Sequence, residues 1–117
     1  MTLNKIGFIG LGLIGGSIAK AVRQYYPDCE ITAFDKSKET LALALQENVI
    51  TASCSTIDDS FRGCDFVFLC TPVSYNNAYL KQICRYLDEN TLLTDVGSVK
   101  TSIHEEVKAL GLDRQFI

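Results

Sequence analysis

An α/β fold, with helices on both faces of a parallel sheet, is what this sequence predicts, and three observations predict it. Short apolar runs alternate with helical periodicity in the order β-α-β-α-β, joined by short turns. Some of the runs, such as residues 65–70 (DFVFLC), are nearly continuous, as in strands buried on both faces. Between the first apolar run and the first helical pattern stands a glycine turn within residues 5–17 (KIGFIGLGLIGGS), and the rest of the chain is organised around it.

The elements follow in order. Residues 4–9 read as the first strand, with Ile6, Phe8 and Ile9 as its apolar members. From Leu13 to about Tyr26, the residues Ile14, Ile18, Ala21, Val22 and Tyr25 recur at helical spacing and predict one packed face. Gly16, Ser17 and Ala19 are small enough to keep this helix near the sheet, and Pro27 ends it, since the residue before proline disfavours the α region. A second strand covers residues 30–35. Ser37 is the expected N-cap of a helix reaching about Gln46, containing Leu41, Ala42, Ala44 and Leu45, with Glu39 adding favourable charge in the first turn. Residues 48–52 (NVITA) read as an edge strand, and residues 56–61 as a short helix stopped by Gly63. Residues 65–70 predict a central strand. A helix over residues 75–86 follows, burying Tyr79, Leu80, Ile83 and Leu87. A strand at 91–94, a loop at 95–98 and a helix from Val99 to Leu110, ending at Gly111, complete the pattern. Residues 114–117 look like a further strand just beginning.

Composition narrows the function classes. A chain of 117 residues, 47% hydrophobic and 21% charged, suits one domain with an ordinary core. A net charge of −3 gives no basic footprint for nucleic acid. No apolar run approaches the roughly 20 residues that span a bilayer, and the N-terminus runs straight into a strand without signal-peptide architecture. The five cysteines, Cys29, Cys54, Cys64, Cys70 and Cys84, are odd in number, form no C-x-x-C pair and mostly sit in or beside apolar runs. Reduced thiols in a cytoplasmic protein are the simplest expectation. One histidine and no ligand-spaced cluster argue against a metal site.

The chemistry converges on one sheet edge. Gly10, Gly12 and Gly15 have the G-x-G-x-x-G spacing of a dinucleotide-binding turn. Gly10 permits the tight turn, Gly12 lets backbone approach a pyrophosphate, and Gly15 lets the helix pack close on the strand. The free N–H groups at the start of that helix would face the phosphates, where the helix dipole favours negative charge. Asp35, at the end of the second strand and roughly 20 residues beyond the turn, can accept both hydroxyls of an adenine ribose and would repel a 2′-phosphate. It can also be read as a cap for the helix starting near Ser37. Lys36 and Lys38 could hold a 2′-phosphate, yet the acid favours NAD over NADP. These features predict a Rossmann-like doubly wound sheet, whose ligands lie beyond the carboxyl ends of the strands. The same edge carries Thr71-Pro72 and the loop from Asp95 to Ser98. Thr71 and Pro72 could hold the chain against the cofactor or simply make a rigid turn. Ser98 could reach the nicotinamide ribose or a substrate hydroxyl, or cap the last helix, or both. Lys100 reads as solvated. His104, the single histidine, lies about two turns into the last helix, away from this edge, and is not expected to be the catalytic base.

The segment from Gly10 to Ser17, GLGLIGGS, resembles the nucleotide-binding signature of prephenate dehydrogenases and the related arogenate dehydrogenases. The resemblance continues through Cys70-Thr-Pro-Val73 and through Asp95-Val-Gly-Ser-Val-Lys100, which is similar to that family's D-x-G-S-V-K segment. It implies that Gly10, Gly12, Leu13, Ile14, Gly15 and Asp35 hold NAD, and that Ser98 lies near the nicotinamide and the reacting hydroxyl. It also implies the reaction: oxidation of prephenate at its ring hydroxyl by hydride transfer to NAD, with loss of the ring carboxylate, giving 4-hydroxyphenylpyruvate, carbon dioxide and NADH. In the family a histidine of a G-H-P segment assists proton removal, and a helical C-terminal domain supplies dimer contacts and much of the substrate pocket. Both are expected to lie beyond residue 117. The chain therefore reads as an incomplete Rossmann domain over residues 1–117 that binds NAD without turnover by itself, part of a homodimer when full length.

Rival readings stay open at this level. Arogenate is as compatible as prephenate with these residues. Dehydrogenases of the β-hydroxyacid type begin with similar turns but resemble this one less at Ile14, where they usually carry methionine. A proline-biosynthetic reductase would prefer NADP, against Asp35. A non-catalytic regulatory module would use NAD as a signal.

Overall fold

A computed structural model describes residues 3–71, 73–96 and 108–111, the side chains of residues 73–77 excepted. Five strands, β1 (Lys5–Ile9), β2 (Glu30–Phe34), β3 (Ala52–Cys54), β4 (Phe66–Leu69) and β5 (Leu92–Asp95), form one sheet in the order β3-β2-β1-β4-β5. Every neighbouring pair is parallel. Helices α1 (Gly12–Tyr25), α2 (Lys38–Gln46) and α3 (Val73–Ile83) make three of the four crossovers, and the connection from β3 to β4 carries only a 3₁₀ turn. The order reverses at β1: the chain winds outward to β2 and β3, then returns to the other side for β4 and β5. The fold is the predicted Rossmann-like sheet.

Strand pleating sorts the core into two layers, because alternate side chains point to opposite faces. Ile6 and Phe8 of β1, with Ile31 and Ala33 of β2, pack with Ala19 of α1 and with Leu41 and Ala44 of α2. Ile9, Phe34, Val67, Leu69 and Leu93 pack on the opposite face with Tyr79, Leu80 and Ile83 of α3. Phe61, from a single 3₁₀ turn at Asp59–Phe61, lies under β1 on this second face. Gly7 makes room for it, since a Cβ there would stand 2.7 Å from Phe61 Cδ1. The ring of Phe8 stacks on Phe68 with centroids 5.2 Å apart.

Three local departures from the sequence reading have clear causes. The packed face of α1 is Gly15 and Ala19, flanked by half-buried Ile18 and Val22, whereas Ile14, Ala21 and Tyr25 are exposed. The smallest residues face the sheet because the helix starts so close to it, which turns the larger apolar ones outward. The edge strand begins at Ala52, not Asn48. Asn48 takes a positive φ of 59°, and the N–H groups of Val49 and Ile50 donate to the Ala44 carbonyl, closing α2 instead of joining the sheet. Asp95, read as the first residue of a loop, is the last residue of β5 and is buried. Elsewhere the expected N-cap is present: the Ser37 Oγ accepts from the Thr40 N–H at 3.2 Å.

At the far end of the sheet, Arg23 of α1 holds three loop carbonyls. Its Nη1 donates to Pro27 at 2.6 Å and Cys29 at 3.0 Å, and its Nε donates to Asn48 at 3.1 Å. No helix among the described residues is long and apolar enough to cross a membrane, and no group of metal-ligating side chains is assembled among them.

Candidate functional site

The site is built where β1, β2 and β4 end. The Gly10 N–H donates to the Phe34 carbonyl at 2.7 Å, and the Cys70 N–H to the Ile9 carbonyl at 2.8 Å, so the glycine turn is docked between the ends of both neighbouring strands. Gly10 has φ +86°, and a Cβ on it would lie 2.5 Å from Thr71 Cγ2 and 3.0 Å from the Thr71 nitrogen. Neither the dihedral nor the space admits a side chain. A Cβ on Gly15 would meet the Gly10 carbonyl oxygen at 2.9 Å and Cys70 Cβ at 3.3 Å, which is why α1 needs glycine there to approach the turn. Gly12 is the contrast. A Cβ on it would meet nothing within 4 Å, so the backbone there borders open space.

Helix α1 starts at that open space without a side-chain cap. First-turn N–H groups have no partner within their own helix, and Leu13 and Ile14, in this turn, are 88% and 54% exposed. The geometry therefore fits a phosphate group approaching Gly12, Leu13 and Ile14 through backbone, with the helix dipole favouring the negative charge.

Asp35, directly after β2, is half-buried beside the turn. Its Oδ2 accepts from the Leu11 N–H and its Oδ1 from the Ser37 N–H, both at 2.8 Å. The capping function that the sequence left open for Asp35 belongs to Ser37, with Asp35 two residues upstream, accepting from the cap's own N–H.

Gly10, Gly12, Asp35, Lys36, Cys70, Thr71 and Tyr79 line a cleft of about 260 Å³. It brings together residues from the glycine turn, the end of β2 and the end of β4. Burial, together with the nearby Asp95 carboxylate, pushes the Cys70 thiol up to about 12, so it stays protonated at neutral pH. Tyr79 was legible only as a core residue; it packs edge-on against Phe34 at 5.3 Å while also lining the cleft. Nothing along the chain marks it for the cleft, because its neighbours there come from the ends of β1 and β2. Pro72, Ser98, Lys100 and His104 lie outside the described residues.

The nucleotide-binding domain model of prephenate dehydrogenase matches residues 18–117. The chain belongs to this family. A cyclohexadienyl dehydrogenase of Zymomonas mobilis is 38% identical over an alignment of 108 residues that covers 88% of this chain and 36% of the relative. A solved prephenate dehydrogenase of A. aeolicus, in complex with hydroxyphenyl propionate and NAD+, superposes with a TM-score of 0.88 at 27% identity, covering 99% of this chain and 41% of that one. A Synechocystis arogenate dehydrogenase superposes with a TM-score of 0.81 at 29% identity, covering 91% of this chain and 37% of that one. The family match starts beyond the glycine turn, but the A. aeolicus superposition extends across it. The chain spans between 26% and 36% of the length of the curated relatives it matches.

Proposed function

We propose that this chain is the cofactor-binding part of an NAD-dependent prephenate dehydrogenase. The observation that carries the reading is the pairing of the open backbone at Gly12 with the Asp35 carboxylate on the same cleft. Bound NAD would supply the hydride acceptor. The first turn of α1, at Gly12, Leu13 and Ile14, would receive the pyrophosphate through backbone N–H groups. Asp35 would accept the adenine-ribose hydroxyls, and its charge opposes a 2′-phosphate, which favours NAD over NADP despite Lys36 beside it. Gly10 and Gly15 keep the turn tight, and Thr71 lines the cleft beyond β4; the family resemblance adds Pro72 as a cofactor contact and Ser98 as the residue that would orient the reacting hydroxyl.

The proposed reaction removes a hydride from the ring carbon bearing the hydroxyl and a proton from that hydroxyl, and releases the ring carboxylate as carbon dioxide. The electron pair left by decarboxylation completes the aromatic ring and passes to the ring oxygen, which takes a proton back to give 4-hydroxyphenylpyruvate. Orientation and proton removal are then the enzyme's main tasks. In this reading the proton-accepting histidine and the helical domain belong to a longer protein, a cytoplasmic homodimer, and residues 1–117 bind NAD without turnover.

Arogenate is the second reading for the substrate, supported by the Synechocystis arogenate dehydrogenase among the structural relatives. Following NADH formation by the full reading frame, with prephenate or arogenate and NAD, tests both. Turnover of prephenate by the long form alone supports the proposal. Turnover of arogenate alone reassigns the substrate. NAD binding without turnover of either substrate favours a non-catalytic module.

A further inference from the structure

We infer that Asp35 is a positioning residue for the glycine turn, holding it in its phosphate-receiving shape before any ribose is bound. This goes beyond the ribose-reading role and rests on the proposed cofactor site.

The turn is held by a small set of hydrogen bonds. The Gly10 N–H reaches the Phe34 carbonyl at 2.7 Å, and the Gly16 N–H reaches the Leu11 carbonyl at 2.8 Å. Between them, the Leu11 N–H donates to Asp35 Oδ2 at 2.8 Å, and this is the one bond of the three made by a side chain. Leu11 stands between Gly10 at φ +86° and Gly12 at φ +44°, two conformations that glycine reaches easily and that therefore need outside restraint. The Leu11 side chain is 2% exposed, so its amide cannot turn freely to water. Leaving a part-buried N–H without a partner disfavours the shape that orphans it. Through Oδ1 the same carboxylate bonds the Ser37 N–H, at the cap of α2. The turn is thereby tied to a fixed point on the second crossover.

The remaining capacity of the carboxylate decides how the two roles coexist. An ionised carboxylate offers about four lone-pair positions. Two are taken by the Leu11 and Ser37 amides, leaving two for the vicinal hydroxyls of a ribose. Ribose binding thus leaves the turn bond intact. Substitution of Asp35 loosens the phosphate site as well as the ribose site.

The test uses 2′,3′-dideoxyadenosine diphosphate, which carries the diphosphate and adenine but lacks the ribose hydroxyls. Its affinity, and the amide hydrogen exchange of Leu11 without ligand, are measured by NMR for wild type, Asp35→Ala and the near-isosteric Asp35→Asn. Ser37→Ala serves as a variant that destabilises α2 while keeping the Asp35 bonds. Expected for Asp35→Ala are a loss of Leu11 protection of about tenfold or more and weaker binding of the dideoxy ligand by about fivefold or more. Asp35→Asn, which has a single acceptor oxygen, raises exchange at Leu11 or Ser37, and Ser37→Ala leaves Leu11 unchanged. Unchanged Leu11 protection, with a loss confined to NAD, overturns the inference and leaves Asp35 as a ribose reader only. If Asp35→Ala does not fold, Asp35→Leu, close in size and without any acceptor oxygen, decides by the same readouts. If the folded wild type binds no dideoxy ligand, the cofactor site itself is contradicted, while Leu11 exchange still decides the positioning role.

Discussion

Thr71 closes directly on Gly10: a Cβ on Gly10 would lie 2.5 Å from the Thr71 Cγ2. This contact joins the end of β4 to the turn after β1 and forms one wall of the cleft. Gly10→Ala adds a strained φ to this clash and should destabilise the fold by roughly 2 kcal/mol or more. Urea unfolding of the variant beside wild type checks this. Gly12→Ala, where no atom stands in the way, carries only the strain of its φ of +44°; it should unfold closer to wild type than Gly10→Ala while losing NAD affinity.

Removing the Ser37 hydroxyl tests the local structure after β2. It accepts from the Thr40 N–H at 3.2 Å, and Ser37→Ala should cost about 1 kcal/mol, the usual magnitude for an N-cap. Chemical denaturation reads the change. NAD affinity should stay near wild type, because the hydroxyl faces Thr40 and not the cleft.

Arg23→Ala should be more damaging than its place near a helix end suggests. It removes three donors from the carbonyls of Pro27, Cys29 and Asn48, for an expected loss of about 2 kcal/mol. Arg23→Lys should recover only part of this, since one ammonium cannot reproduce the planar fork. Thermal unfolding of the two variants separates these outcomes.

The thiols set an alkaline limit. Burial pushes Cys64 and Cys70 from 9.0 up to about 12, and raises Cys29 and Cys54 as well. Unfolded thiols lose their protons first as pH rises past about 9, so the unfolded state then binds fewer protons. Stability should fall over the window from about pH 9 to 12 and be insensitive to these groups below it. A pH series of unfolding midpoints, flattened in Cys64→Ala and Cys70→Ala relative to each variant's own neutral value, is the expected result. Native iodoacetamide labelling at pH 8 should leave Cys64 and Cys70 unmodified.

The sequence carried the sheet and the glycine turn because both are dictated locally. Continuous apolar runs specify strands buried on two faces, and the turn needs glycine wherever a Cβ would strike Thr71 or the Gly10 carbonyl. The face of α1 was legible in part: Gly15 and Ala19 lie against the sheet with Ile18 and Val22 beside them, as expected, but periodicity alone also places Ile14 and Tyr25 there, and the close approach of the helix turns both outward. The start of β3 was hidden for a related reason: β-branched Val49 and Ile50 are buried, yet their amides close a helix. Arg23 and Tyr79 gain their roles from residues distant in sequence. Asp35 was legible as an acid at the right place, but its bond to Leu11 crosses from one βα turn to another and has no signature along the chain.

The central claim is that the cleft between the glycine turn and Asp35 takes NAD. Calorimetric titration of the folded 117-residue chain with NAD and with NADP tests it most directly. The account predicts saturable binding of one NAD per chain, about tenfold or more tighter than NADP. A folded chain that gives no binding with NAD, or binds NADP more tightly, would contradict it.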